Sequence, residues 1–297
     1  VQRCSLKQKA TASTPVMLGT PESYRVSEQH APDKESTWGH AAEDDGWYKA
    51  HNSIRGEIRS LGRALDVIGI TPLQEWQLRS LKAYWTGHAR HVYAHQGNED
   101  ELFNPYLRTR IAVPDKLEAD HVVLVALMER LGALVDSLRA GCSALELRVA
   151  WAAYDTAMTA HLSEEEQIGL PLMRAYFTPK EIGVLVEKIM KRADPIELGS
   201  FFHHMGGKRE ILAFMKQEGI PAIAWYLQFK GLRTAYRKAM VSHVESLIAG
   251  KPVVSVHRSR EAKASSQSDE NAATANPTSP PRDRKRVGSL VVLDFKL

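Results

Sequence analysis

The chain has 297 residues, 43% of them hydrophobic and 25% charged, which is enough for one large or two modest cores. No stretch approaches the roughly 18 apolar residues of a membrane-spanning helix, the first thirty residues lack the apolar block of a secretion signal, and a cytoplasmic location is the expectation. From Lys251 onward nine basic residues stand against five acidic ones, a net +4 that equals the charge of the whole chain, so the body is near neutral and nucleic acid is not its expected partner.

Residues 1–43 are polar and are expected to form a disordered leader. Cys4 lies in it and Cys142 lies beside a turn, so a structural disulfide is not expected. Ile54, Ile58, Leu61, Leu65 and Ile68 recur at helical spacing and predict a first helix that stops at Gly69. "TPLQ" (Thr71 to Gln74) reads as a capping box that opens a second helix running to about Arg108. "VPDKLEADHVVLVALMERLGALVDSLRAG" predicts a third helix that starts at a proline and ends at Gly141. "SALE" (Ser143 to Glu146) opens a fourth, which reaches about Met173.

Long amphipathic helices with short connections predict an all-α fold, an antiparallel up-and-down four-helix bundle over residues 44–175. Further boxes at "TPKE" (Thr178 to Glu181) and "DPIE" (Asp194 to Glu197) predict a helical extension, 176–250, packed on the bundle. Residues 251–297, with "PTSPPRDRKR", are expected to be a disordered basic tail whose short apolar end, "VGSLVVLDFKL", has an unknown target. No Val/Ile-rich alternating strand is present.

One phrase occurs twice. "HQGNEDELFNP" (His95 to Pro105) and "HLSEEEQIGLP" (His161 to Pro171) each carry a histidine, a glutamate four residues on and a proline six beyond that. On a helix, residues four apart share a face, so His95 with Glu99 and His161 with Glu165 each form a two-toothed metal clamp. A histidine precedes each clamp by a similar interval: His51 before the first, His121 before the second. Counted along antiparallel helices, all these residues fall at one level. Four histidines and two glutamates in one buried layer are costly unless they hold metal. Nitrogen and carboxylate ligands without thiolate suit iron, manganese or zinc, and two carboxylates suit a pair of ions.

With "LFNP" and "IGLP" closing the clamps, His51, His95, Glu99, His121, His161 and Glu165 resemble the HHE cation-binding domain of the hemerythrin family over about residues 44–175. The resemblance implies a non-haem di-iron centre in a four-helix bundle, with the four histidines as terminal ligands and the two glutamates bridging. The helices after Thr178 are similar to extensions of some bacterial members. Their His203 and His204 are expected to pack rather than to bind metal.

Oxygen-carrying hemerythrins resemble this pattern but place another histidine four residues after the one on the third helix, where this chain has Val125. His91, one turn before His95, is a candidate fifth ligand or supporting partner, and His88, a turn earlier, a weaker one. Asp100, Glu101, Glu164 and Glu166 flank the clamps and are expected to face solvent. Two ions are not saturated by so few side chains, and open positions bind small molecules.

The leading reading is a di-iron protein that binds a small ligand (oxygen, nitric oxide or peroxide) in sensing or in a redox or iron response. The alternative is a di-iron enzyme that decomposes peroxide or nitric oxide. A ferritin-like oxidase needs Glu-x-x-His on two helices, and only Glu118 to His121 offers it. No membrane partner is expected.

Overall fold

The computed structural model describes residues 31–253, which are helical, with one isolated bridge between Pro72 and Ser143. Helix α1 (Gly46–Ile68) starts where the Asp45 side chain accepts the amide of Trp47, and ends at Gly69, whose φ of 60° favours a residue without Cβ. Helix α2 (Glu75–Asn98) continues through a π-helical turn, Glu99–Phe103, into a last α-turn, Asn104–Leu107. Helices α3 (Asp115–Ser137) and α4 (Leu145–Tyr176) complete the set. Contacts run α1 to α2, α2 to α3, α3 to α4 and α4 back to α1, which closes the bundle.

The α1–α2 and α3–α4 connections pair with each other at one end of the bundle. The Leu73 amide donates to Cys142 O at 2.9 Å and the Gly141 amide to Leu73 O at 2.8 Å. That pairing explains why two expected caps fall elsewhere. Leu73 is held in the loop, so α2 starts three residues after Thr71 would have capped it, in a box between Gln74 and Gln77. Thr71 instead hydrogen-bonds the end of α1 through Ile68 O. Likewise α4 is capped at Ala144, and Ser143 accepts only the amide of Leu145, at 3.2 Å. The boxes at Thr178–Glu181 and Asp194–Glu197 form as the sequence predicts.

The extension comprises α5 (Pro179–Arg192), α6 (Pro195–His204), α7 (Lys208–Gln217), α8 (Lys230–Tyr236) and α9 (Ser242–Ala249), with π-helical turns at Trp225–Phe229 and Arg237–Val241 on either side of α8. Helices α6 and α9 lie against α1 and α2. Tyr236, Met240, Val244 and Leu247 enter the same apolar cluster as Ile54, Leu81, Leu124 and Met158. A second cluster, with Phe103, Leu117, Ile168 and Phe177, fills the opposite end of the bundle. The layer of histidines and glutamates lies between the two.

Trp38 and His40, within the segment expected to be a loose leader, are held at that second end. Trp38 Nε1 donates to Phe177 O at 2.7 Å and Arg174 donates to His40 O. Cys4, the basic tail and its apolar end fall outside the described residues. Among those described, no helix is long and apolar enough to cross a membrane.

Close approach inside the extension depends on Gly199, where an added Cβ would lie 2.5 Å from Tyr236 Cβ and 2.8 Å from the backbone O of Leu232. Backbone cannot yield as a flexible side chain does. Gly199→Ala is expected to destabilise the fold by about 1–3 kcal/mol, read as a drop of several degrees in thermal unfolding. An unchanged melting temperature contradicts the tight α6–α8 packing.

Candidate metal centre

The clamps form as helical geometry requires. His95 Nε2 lies 3.1 Å from Glu99 Oε1 on α2, and His161 Nε2 lies 3.4 Å from Glu165 Oε1 on α4. His51 on α1 and His121 on α3 complete the layer. Two groups of four donor atoms result, His51/His95/Glu99/Glu165 and Glu99/His121/His161/Glu165, each with all atoms within 4.8 Å and every residue buried.

Both glutamates belong to both groups, and their oxygens divide between them. Glu99 turns Oε1 toward His51 (3.7 Å) and Oε2 toward His121 (3.6 Å). Glu165 turns Oε2 toward His51 (3.3 Å) and Oε1 toward His121 (3.9 Å). Donors bound to one ion at about 2.1 Å stand roughly 3 Å or more apart, so this spacing suits shared ions.

The polar atoms themselves indicate what fits. His51 Nε2, His95 Nε2, Glu99 Oε2 and Glu165 Oε2 are buried without a hydrogen-bond partner. Such orphans are rare in a folded interior and call for a bound ion or water. His121 Nε2 faces His161 Nε2 at 3.1 Å, while their Nδ1 atoms lie 2.8 Å from Asp100 and 3.8 Å from Asp120. Asp100 accepts from His121 Nδ1, which turns the Nε2 lone pair of His121 toward His161, and His161 Nδ1 is itself buried without a partner; a cation beside the facing Nε2 atoms relieves that contact.

The carboxyls are set apart in the same sense. Burial opposes charge on Glu99, but His95 and His51 outweigh it and hold its pKa well below the ordinary value. Burial and the neighbouring Glu99 charge push Glu165 well above it. Burial, with His121 alongside, lowers His161. Of the two, Glu165 is the one whose acid form is favoured, and a pair of cations would oppose that proton.

Of the seven residues singled out in the sequence as metal ligands, the structure brings together His51, His95, Glu99, His121, His161 and Glu165. His91 is placed elsewhere. Its Nδ1 donates to Glu57 Oε1 at 3.0 Å and its Nε2 faces Ser53 Oγ at 3.5 Å, so it joins neither group of four. Glu57 is a buried carboxylate that also accepts from His88 Nδ1 (2.7 Å), Ser200 Oγ (2.6 Å) and Tyr236 OH (3.0 Å). Burial opposes its charge, yet His91 and His88 hold its pKa far below the ordinary range. His203 and His204 are partly buried, and His204 packs against Gly56.

Of the flanking acids expected in solvent, Glu164 and Glu166 are largely covered and touch the layer or its supports, while Asp100 is exposed as expected and also reaches His121. Glu166 accepts from His51 Nδ1 at 3.0 Å and from the Arg55 guanidinium at 2.6 and 2.9 Å. Asp100 accepts from His121 Nδ1. Glu164 accepts from Lys116, which also donates to Asp120 at 2.6 Å. Glu101 is exposed and points away from the layer, paired with Arg192 at 2.9 Å. The π-helical turn that begins at Glu99 gives the reason for Asp100: a widened turn re-aims the side chain that follows it, and such turns gather at functional sites. Trp47 Nε1 donates to Glu99 Oε1 at 2.9 Å and fixes that carboxylate from α1.

Residues 43–173 match the family model described as the hemerythrin HHE cation binding domain, and this segment is a domain of that class. No curated protein and no solved structure showed a significant match.

Because the acid form of Glu165 and a proton on His51, raised by Glu166 and Glu99 against the opposing effect of burial, both compete with a cation, affinity should fall as pH falls. Chelator competition between about pH 8 and about pH 6 reads this; pH-independent affinity contradicts it. Glu166→Ala or Asp100→Ala should weaken metal binding by about 10–100-fold, and unchanged affinity in both would mean that neither orients its histidine.

Proposed function

We propose that the chain is a non-haem di-iron protein of the hemerythrin type that binds a small ligand, oxygen, nitric oxide or peroxide, in sensing or in a redox or iron response. The observation that carries this reading is the sharing of Glu99 and Glu165 between two four-atom groups in one buried layer. His51 and His95 would hold one ion and His121 and His161 the other, with both glutamates between them. Iron so held supplies reversible one-electron redox chemistry and open positions for a diatomic or peroxide.

The chain's own residues shape access to that layer. A surface cleft of about 510 Å³ reaches His121 and is lined by Asp100, Arg108, Glu118, Val122 and Val125. Val125 puts hydrocarbon where an oxygen carrier has a further nitrogen ligand, and this leaves the His121 side less saturated by protein. Water reaches the cleft, so protons do too. Stable oxygen carriage is therefore disfavoured, and this same observation favours the second reading, an enzyme that decomposes peroxide or nitric oxide.

Metal analysis of protein expressed with iron should give about two iron ions per chain, with occupancy reduced in His121→Ala and more so in Glu165→Ala, which touches both groups. Full iron retention in a His51→Ala/His121→Ala protein would sink the assignment. Anaerobically reduced protein should oxidise rapidly in air, and Val125→His should slow that oxidation. Reversible oxygen binding that lasts for hours in the parent contradicts the open-site argument.

A further inference from the structure

We propose that Tyr154 is a redox-active tyrosine that supplies an electron to the metal centre and passes its proton to His88. This rests on the di-iron reading above. Tyr154 is wholly buried, and its hydroxyl lies 2.9 Å from His88 Nε2. On the other side of that imidazole, Nδ1 lies 2.7 Å from Glu57 Oε2. With Nδ1 as the donor to the Glu57 carboxylate, the neutral imidazole presents the Nε2 lone pair to the tyrosine hydroxyl, which donates. Phenol, imidazole and carboxylate form one line of hydrogen bonds closed from water.

That arrangement has a specific chemical consequence. Burial and the Glu57 charge keep the Tyr154 phenol protonated well above its ordinary pKa. Loss of an electron alone would leave a phenol cation in a dry interior, at high cost. With a base in contact, the electron and the proton leave together: the O–H bond breaks, Nε2 takes the proton, and Tyr154 becomes a neutral phenoxyl radical. The positive charge then sits on His88 beside the Glu57 carboxylate, where it is matched.

The oxidant is a peroxide acting at the metal centre. Hydrogen peroxide takes two electrons and two solvent protons and leaves as two waters. One electron comes from the metal ions and one from Tyr154, whose own proton stays on His88. The position is suitable, since Tyr154 and His88 each precede a clamp histidine, His161 and His95, by seven residues, about 10 Å along the helix.

Oxidisable rings continue away from the layer. Trp151 lies 5.3 Å from Tyr154 between ring centroids, and Trp85 lies 6.3 Å from Trp151 and is 9% exposed. A one-electron reductant such as ascorbate at the Trp85 edge can return an electron to Tyr154 by this route, and the proton on His88 Nε2 returns to the phenol oxygen.

The test uses full-length protein with measured iron content, mixed with hydrogen peroxide, frozen and read by electron paramagnetic resonance. The parent should give an organic radical signal that is lost in Tyr154→Phe and largely lost in His88→Gln, whose amide keeps a polar contact but takes no proton. Fluorotyrosine placed at 154 keeps the packing and should change the line shape. Trp85→Phe should lengthen the radical's lifetime, and an unchanged lifetime overturns the surface route. No radical in iron-loaded parent, or an unaltered one in both the Tyr154→Phe and the fluorotyrosine proteins, overturns the proposal. A photogenerated ruthenium oxidant probes the same tyrosine without the metal. A chain that holds no iron fails the di-iron reading, and this second arm still decides on Tyr154.

Discussion

The constraint on which the rest of the structure depends is the burial of two carboxylates among four imidazoles in one layer of a helical bundle. Apolar side chains above and below that layer cover its two faces, so its charges depend on one another, on the few polar groups beside them and on whatever cation they hold. Removing one partner from a buried charged set costs about 3–5 kcal/mol, so an incomplete layer is a liability that a bound ion removes. The opposed behaviour of Glu99 and Glu165, one held ionised and the other pushed toward its acid form, expresses the same frustration within one pair.

Around that layer the chain places a ring of groups that join neither set of four donor atoms but fix residues that do. Glu166 with Arg55 sets His51, Asp100 sets His121, and Trp47 sets Glu99. Glu166, Asp100 and Trp47 each come from a different helix from the group they orient, and Arg55 holds Glu166 from α1, so ligand geometry is a product of helix packing rather than of any one segment. Glu57 does for the extension what the two glutamates do for the centre. It gathers His88 and His91 from α2, Ser200 from α6 and Tyr236 from α8 onto one buried carboxylate. The extension is thereby tied to the helix that carries the His95–Glu99 clamp.

Much of this was legible in the sequence because it is local. The i, i+4 spacing of each clamp, the apolar period of α1 and the boxes at Thr178 and Asp194 are settled within a turn or two of helix. What was illegible is what tertiary contact decides. The pairing of Leu73 with Gly141 and Cys142 moves the start of α2, and no feature of "TPLQ" announces it. The π-helical turn at Glu99 brings Asp100 to His121, a departure from regular helix that acid residues in sequence do not reveal. His91 sits on the clamp face by spacing, yet Glu57, an unremarked acid in a helix otherwise read by its apolar period, captures it. A glutamate amid Ile54, Ile58 and Leu61 was the available signal for that second buried network.

The most direct measurement is crystallographic: anomalous scattering collected at the iron absorption edge from crystals of the iron-loaded protein. The account predicts two peaks within the layer, one beside His51 and His95 and the other beside His121 and His161, with Glu99 and Glu165 each contacting both. A single peak, or iron bound by His91 or by Glu57 in place of either group, would contradict it.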